Sequence, residues 1–313
     1  GNLKASWGNP EEIIYPRSSC KMIQALPLLE SGSADYYKLE SRHLALACAS
    51  HSGGEAHLEV AKDWLQKLNL ETKHLMCGAH KPYDIKELKY LKDNGLIPTQ
   101  LHNNCSGKHL GFLTISRNFR KTDHEKVNYI DIDHPVQIMV QKAFEEMNGF
   151  TDPKFALDGC SAPNFTCTVE ALARSMANLA RPDGFSQQRK LAITRLREAV
   201  LQNPYLIAGE DRLCTKLMKR SAGRFIVKVG AEGVYTAILL EEGLGIALKI
   251  SDGARRASEC LIVTILARLG FLDAKDPEIR DIMQAPIINW SKNPTGVLKV
   301  SENIWKGGKP LIL

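Results

Sequence analysis

Phe225-Ile226-Val227-Lys228-Val229-Gly230 is where the periodicity of this chain changes. Before it, apolar residues recur every three or four positions, as on one face of a helix. From Phe225 onward they gather in short runs rich in β-branched and aromatic residues, as strands do. Tyr235 to Leu240 reads as a second strand. Leu244 to Ile250, after the Glu241-Glu242-Gly243 turn, reads as a third. The connections are too short for a crossover helix, so neighbouring strands must run antiparallel. Ser258 to Leu269 is apolar nearly all round and reads as a buried helix packed on that sheet, ended by Gly270. Gly296 to Val300 reads as the last strand.

Upstream of Phe225 the pattern is helical. Helices are expected at Asp211 to Lys219, at Gln188 to Leu201, and at Thr168 to Ala180 with its stripe of Val169, Leu172, Ala173, Met176 and Leu179. Pro135 to Met147 carries a proline near its first turn, where the missing N–H costs nothing. Asp84 to Asn94 shows Ile85, Leu88 and Leu91 on one face and stops at Gly95. Leu58, Ala61, Leu65 and Leu68 mark another core-facing helix. A helix from Ser18 runs toward Leu28, with Pro27 expected to kink or shorten it. Residues 1–16 read as a short strand pair turning at Trp7-Gly8-Asn9-Pro10. Gly1-Asn2-Leu3-Lys4 looks like a hairpin entered halfway, so residues upstream of it are expected. The fold class expected is α/β (α+β) in one domain, 1–313. Its antiparallel sheet is drawn from 1–16 and 224–313, its helical lobe spans roughly 36–220, and the site lies between them.

A chain of 313 residues buries a large core, and its net charge of +6 is modest for that length. The basic residues are scattered, with no stripe suited to nucleic acid and no polybasic membrane segment. No run reaches the roughly 18 apolar residues of a membrane span, and no secretory signal stands at the start. The eight cysteines show no C-x-x-C and no regular spacing. In a chain this large that favours reduced thiols and a cytoplasmic compartment.

Two stretches carry chemistry. Arg17-Ser18-Ser19-Cys20-Lys21 has the S-x-x-K spacing, which on a helix sets Lys21 one turn from Ser18. A neutral amine held near a serine can take its proton and make it a nucleophile. The same spacing also serves an ordinary exposed helix start. Ala49-Ser50-His51-Ser52-Gly53-Gly54 offers a second hydroxyl, although Ser50 or Ser52 could instead cap the following helix. Lys228 stands inside an apolar strand directly before two glycines; it either faces solvent or supplies a second amine for a hydroxyl such as Ser50. Cys105 and Lys108 share a helical turn, and Cys160 follows Asp158-Gly159. Two thiolates and one further donor suit zinc. A helix-entry loop or a reactive thiol are the competing readings. Arg17 could clamp a carboxylate, or be a surface arginine.

The segments PRSSCK (16–21), QALPLLESG (24–32), ACASHSGG (47–54), NNCSGKHLGFL (103–113), DGCSAPNF (158–165), GEDRLCT (209–215) and VKVGAEGVY (227–235) together resemble the inducible Rhizobium etli-type L-asparaginases, also called asparaginase II. The match runs through nearly all the chain, and the 103–113 block is the most specific part. The resemblance implies a fold similar to serine β-lactamases and glutaminases, and hydrolysis of L-asparagine to L-aspartate and ammonia. It implies two Ser–Lys pairs, Ser18 with Lys21 and Ser50 with Lys228, and zinc held by Cys105, Lys108 and Cys160. It implies Asp158 near the substrate's α-amino group, Arg17 and His109 as substrate contacts, Cys214 near the pocket, and a homodimer. The family's Glu-Ser-x-His strand would lie upstream of Gly1. The mechanism expected is double displacement through a serine ester, with Ser18 somewhat favoured over Ser50 as nucleophile because the helix fixes Lys21 beside it. One lysine would be the base and the other would lower its pKa. The alternatives are a glutaminase or β-lactam-reactive hydrolase on the same scaffold, and a zinc-holding protein without turnover. The K-T-G motif of lactam chemistry is absent.

Overall fold

The structure is a computed structural model that describes residues 2–119 and 128–306. Gly1, on which part of the expected entering hairpin fell, lies outside them. The chain is an α+β protein.

The expected three strands form as Phe225–Val229, Val234–Leu239 and Leu244–Lys249, in that order across one antiparallel sheet. The register sets Lys228 opposite Thr236 and Val229 opposite Tyr235. Every residue of the middle strand is buried, because helices Val169–Ala180 and Arg255–Arg268 pack on the sheet. Gly245 makes the first of these contacts possible: a β-carbon there would stand 2.0 Å from the Ala173 carbonyl oxygen.

The helical lobe is built round Ser106–Phe119, whose residues from Ser106 to Ser116 are all buried. Helices Ser41–Ala47, Glu55–Leu68 and Pro135–Asn148 surround it. Trp64, fully buried, donates its indole N–H to Thr114 Oγ1 at 2.9 Å. Gly107 lies against the last turn of Ser41–Ala47, with no room for a side chain.

Several local expectations are corrected. The strand found in the first sixteen residues is Ile13–Ile14, and it pairs with Cys167–Thr168 rather than with strands after 224. Pro294–Lys299 pairs with Gln284–Ile288 in a separate hairpin instead of extending the main sheet. The segment from Ser18 is not one α-helix. It is a 3-10 turn, Arg17–Cys20, followed by short helices Lys21–Gln24 and Leu26–Glu30. Pro27 sits in the first turn of the last piece, where it starts a helix but could not continue one. Helix Glu55–Leu68 is capped by the backbone of Gly54 with no side-chain bond, so neither Ser50 nor Ser52 caps it. On helix Ile85–Asp93 only Leu91 is buried; Ile85 and Leu88 are exposed, so that apolar face does not point to the core. Asp158 to Ala162 is the loop of a small hairpin joining Phe155–Leu157 to Pro163–Phe165.

Candidate active site

Ser50 follows helix Ser41–Ala47 by three residues and is 5% exposed. Its hydroxyl meets two amines. Lys21 Nζ lies 3.1 Å away and Lys228 Nζ 2.9 Å away. The three residues come from the start of a short helix, a loop after a helix and the edge strand of the sheet, so the site sits where lobe and sheet meet. Gly230 lets that junction close, since a β-carbon there would lie 2.6 Å from the Pro16 carbonyl oxygen. Lys228 therefore does not point to solvent; it is 5% exposed.

Lys21 is also held by the carbonyl oxygens of Ala49 at 2.5 Å and Asn104 at 3.3 Å, and by Cys105 Sγ at 3.2 Å. Carbonyl oxygens only accept, so they fix the amine as a donor and draw the side chain inward. No hydrogen-bond partner of the Ser18 hydroxyl is found among the described residues, and Ser18 is half-buried. The expected Ser18–Lys21 hydrogen bond is replaced by a Ser50–Lys21 one, because the carbonyl oxygens of Ala49 and Asn104 and the Cys105 sulfur bind the amine on the Ser50 side.

Lys228 is the amine made basic at neutral pH. Burial, and then the charge of Lys21, lower its pKa to about 7. Its other contact is the Val229 carbonyl oxygen at 3.1 Å. The Ser50 amide N–H donates to the Ile207 carbonyl oxygen at 2.9 Å, so it is not free to stabilise an oxyanion.

Cys105, Lys108 and Cys160 converge beside Lys21. Asn103 Oδ1 accepts from the Cys105 amide at 2.8 Å and shapes the entry to helix Ser106–Phe119, where Lys108 lies one turn in. Lys108 Nζ is 3.1 Å from Cys160 Sγ. Interaction with the neighbouring Cys160 sulfur, then burial, pushes the Cys105 thiol up to about 12. The Cys105 thiol beside it brings Cys160 down to about 5 against the effect of burial, with the Lys108 ammonium assisting. Burial works against the Lys108 charge, but Cys160, Cys105 and Asp158 outweigh it and raise its pKa. This set of two sulfurs and one amine, all buried, already gathers positive charge between soft donors and suits a zinc ion.

Asp158 and Arg17 form the polar wall. Asp158 Oδ1 accepts from Arg17 Nε at 3.0 Å and Nη2 at 2.8 Å, and from the Gly159 amide at 2.8 Å. Burial would raise the Asp158 pKa; Lys108 and Arg17 overcome it and hold the carboxylate low. Arg17 Nη1 reaches the Glu232 carboxylate, which sequence reasoning did not single out. The available signal was an acid in the Gly230-Ala231-Glu232-Gly233 turn, four residues after Lys228.

His109 is fully buried between Tyr129 and Phe112, at ring centroid distances of 5.6 and 6.1 Å. Its Nδ1 meets the Tyr129 hydroxyl at 3.0 Å, and its Nε2 has no partner among the described residues. Burial, then Lys108, lower its pKa to about 3, so the ring is neutral. Cys214 Sγ lies 3.1 Å from the Tyr235 hydroxyl. All eight cysteines are buried and unpaired.

Glu40, His43 and Asp63 also bring ligand atoms within 4.8 Å of one another. His43 has both nitrogens engaged, Nδ1 accepting from the Glu40 amide at 2.9 Å and Nε2 on Asp63 Oδ2 at 2.8 Å, and Arg42 and Lys67 neutralise the acids. No ring lone pair is left for a cation. Among the described residues no helix is long and apolar enough to cross a membrane.

A family model described as L-asparaginase II matches residues 1–300 of the chain. No curated protein matches it.

Proposed function

The chain belongs to the L-asparaginase II family and hydrolyses L-asparagine; on that premise we propose that it does so through a covalent ester on Ser50. The observation that carries this reading is that both buried amines meet the Ser50 hydroxyl. Lys228, lowered to about 7, is neutral for much of the time at neutral pH and accepts the Ser50 proton as Oγ attacks the side-chain carboxamide carbon. The Lys21 charge keeps Lys228 from holding its proton. The C–N bond breaks as Lys228 passes that proton to the departing nitrogen, and ammonia leaves. Water, deprotonated by Lys228, then attacks the β-aspartyl ester carbon; the ester C–O bond breaks as Lys228 returns that proton to Ser50 Oγ, freeing L-aspartate and Ser50. Arg17 receives the α-carboxylate and Asp158 the α-ammonium. Ser18, next to Arg17 in the chain, is assigned as a second hydroxyl that orients substrate.

Cys105, Lys108 and Cys160 would hold zinc, in the manner of the Rhizobium etli-type enzymes. The ion would supply a fixed positive charge and Lewis acidity beside the substrate pocket. Binding must displace the Cys105 thiol proton and the Lys108 proton, so zinc uptake is expected to release protons and to weaken as pH falls. Cys160→Ala should lose zinc affinity by more than the roughly 100-fold typical of an outer-shell change, read as protein-bound metal after dialysis. Equal zinc retention by both proteins would reject the site. The free, buried thiols support a reducing, cytoplasmic setting, and a homodimer is the assembly proposed.

The testing experiment is ammonia release against pH. Protonated Lys228 cannot accept a proton, so kcat/KM for L-asparagine is expected to fall as pH drops through about 7 and to level off above it. Lys21→Met removes the like charge, and the midpoint should move upward in the residual activity. A profile flat across neutral pH would exclude Lys228 as base. L-Glutamine run in parallel measures how far the longer amide is accepted, which separates the asparaginase from a glutaminase.

A further inference from the structure

We propose that Glu232 positions Arg17 for the α-carboxylate of the substrate; this rests on the reading of Arg17 and Asp158 as the contacts to the amino-acid end of asparagine. The Arg17 guanidinium is pinned from both sides, by Asp158 on Nε and Nη2 and by Glu232 on Nη1. The two carboxylates differ in surroundings: the Asp158 side chain is 9% exposed and that of Glu232 is 69% exposed. An ion pair with so exposed a partner contributes little to stability, so its place in the structure calls for another reason.

The backbone supplies one. Arg17 and Glu232 stand at φ 55° and 58°, in the left-handed region that side chains disfavour. Ser161, in the loop of Asp158, stands at 69°. Two of these non-glycine residues, 215 positions apart in sequence, bond to each other, and the third lies in the loop whose Asp158 also bonds Arg17. Glu232 is held in its conformation: Lys249 Nζ donates to its carbonyl oxygen at 2.8 Å, and Gly233 is packed so tightly that a β-carbon would lie 2.8 Å from Ile250. Backbone strain kept in this way gathers where a side chain must be aimed.

Charge counting gives the role. An incoming α-ammonium takes Asp158, which frees Arg17 Nε and Nη2 for the α-carboxylate. Glu232 keeps Nη1 throughout, so the guanidinium does not swing away when its first partner is taken. Without Glu232, Asp158 alone must anchor Arg17 and receive the ammonium.

The test uses the full chain and ammonia release. Glu232→Ala is expected to raise KM for L-asparagine about tenfold, with kcat within about twofold. The inhibition constant of L-aspartate should rise by the same factor, and the pH midpoint set by Lys228 should stay in place. Glu232→Gln, which keeps an acceptor oxygen without the charge, should fall between. Glu232→Gly relieves the left-handed backbone, so it should melt higher than wild type and still show the raised KM, a combination that loss of structure cannot give. An unchanged KM in Glu232→Ala, or a fall in kcat alone, would overturn the proposal. Failure of the serine–lysine reading would show elsewhere, as a Ser50→Ala protein that still turns over, and would leave the KM comparison readable.

Discussion

Ser50→Ala is expected to lower kcat for L-asparagine by roughly 10⁴- to 10⁶-fold, the scale on which loss of an activated serine is felt. The expectation rests on one feature of the site. Two buried amines address this hydroxyl, and no other serine hydroxyl is placed so among the described residues. Alanine removes only an oxygen, and Ser50 lies in a loop whose backbone is fixed by its amide bond to Ile207, so the fold should persist. Melting temperature is the control. Ser18→Ala should cost far less, about tenfold, because its hydroxyl makes no hydrogen bond to either lysine. A Ser18→Ala protein as inactive as Ser50→Ala would return the nucleophile to Ser18 and leave Ser50 as the positioning hydroxyl.

Gly107→Ala should damage the whole molecule. A β-carbon at that position would lie 2.0 Å from the Leu46 carbonyl oxygen and 2.6 Å from its carbon. Both are backbone atoms and cannot rotate away, so two helices must separate. Overpacking against backbone falls at the upper end of the usual range, about 3 kcal/mol, which in a chain of this size lowers Tm by roughly 6 °C. Activity should fall too, since Leu46 is four residues before Ser50 and Gly107 is two after Cys105. Gly111→Ala, one turn along the same helix, is the matched control. There a β-carbon would meet Leu28 Cδ2 at 3.7 Å and Ala47 Cβ at 3.9 Å, ordinary contacts. Alanine favours helix over glycine by about 1 kcal/mol, so Gly111→Ala should be neutral or stabilising. Equal melting of the two variants would contradict the close approach at Gly107.

The helices and strands with strong periodicity were legible in the chain. Thr168 caps Val169–Ala180 as its position suggests, and the three strands after Phe225 form with only small shifts at their ends. Local chemistry decides such elements: a stripe every three to four residues, a cap, a proline in the first turn. The exposed apolar face of Ile85–Asp93 and the separate hairpin at 284–299 were not legible, because periodicity reports which residues share a face and not what that face meets.

For the site, residue types and spacing named the participants. Ser18, Lys21, Ser50, Lys228, Cys105, Lys108, Cys160, Asp158 and Arg17 were all marked by sequence or by family resemblance. Their partnerships were not. S-x-x-K spacing sets Ser18 and Lys21 on one face, but carbonyls from Ala49 and Asn104, supplied by distant segments, hold the amine on Ser50 instead. Sequence alone determined which groups are present and that the chain is α+β. Tertiary packing decided which hydroxyl meets which amine, that Lys228 is buried enough to be basic near neutrality, and that Glu232 holds Arg17. The physical reason is range: backbone preference acts over a few residues, whereas desolvation and charge act through space between segments that the chain keeps far apart.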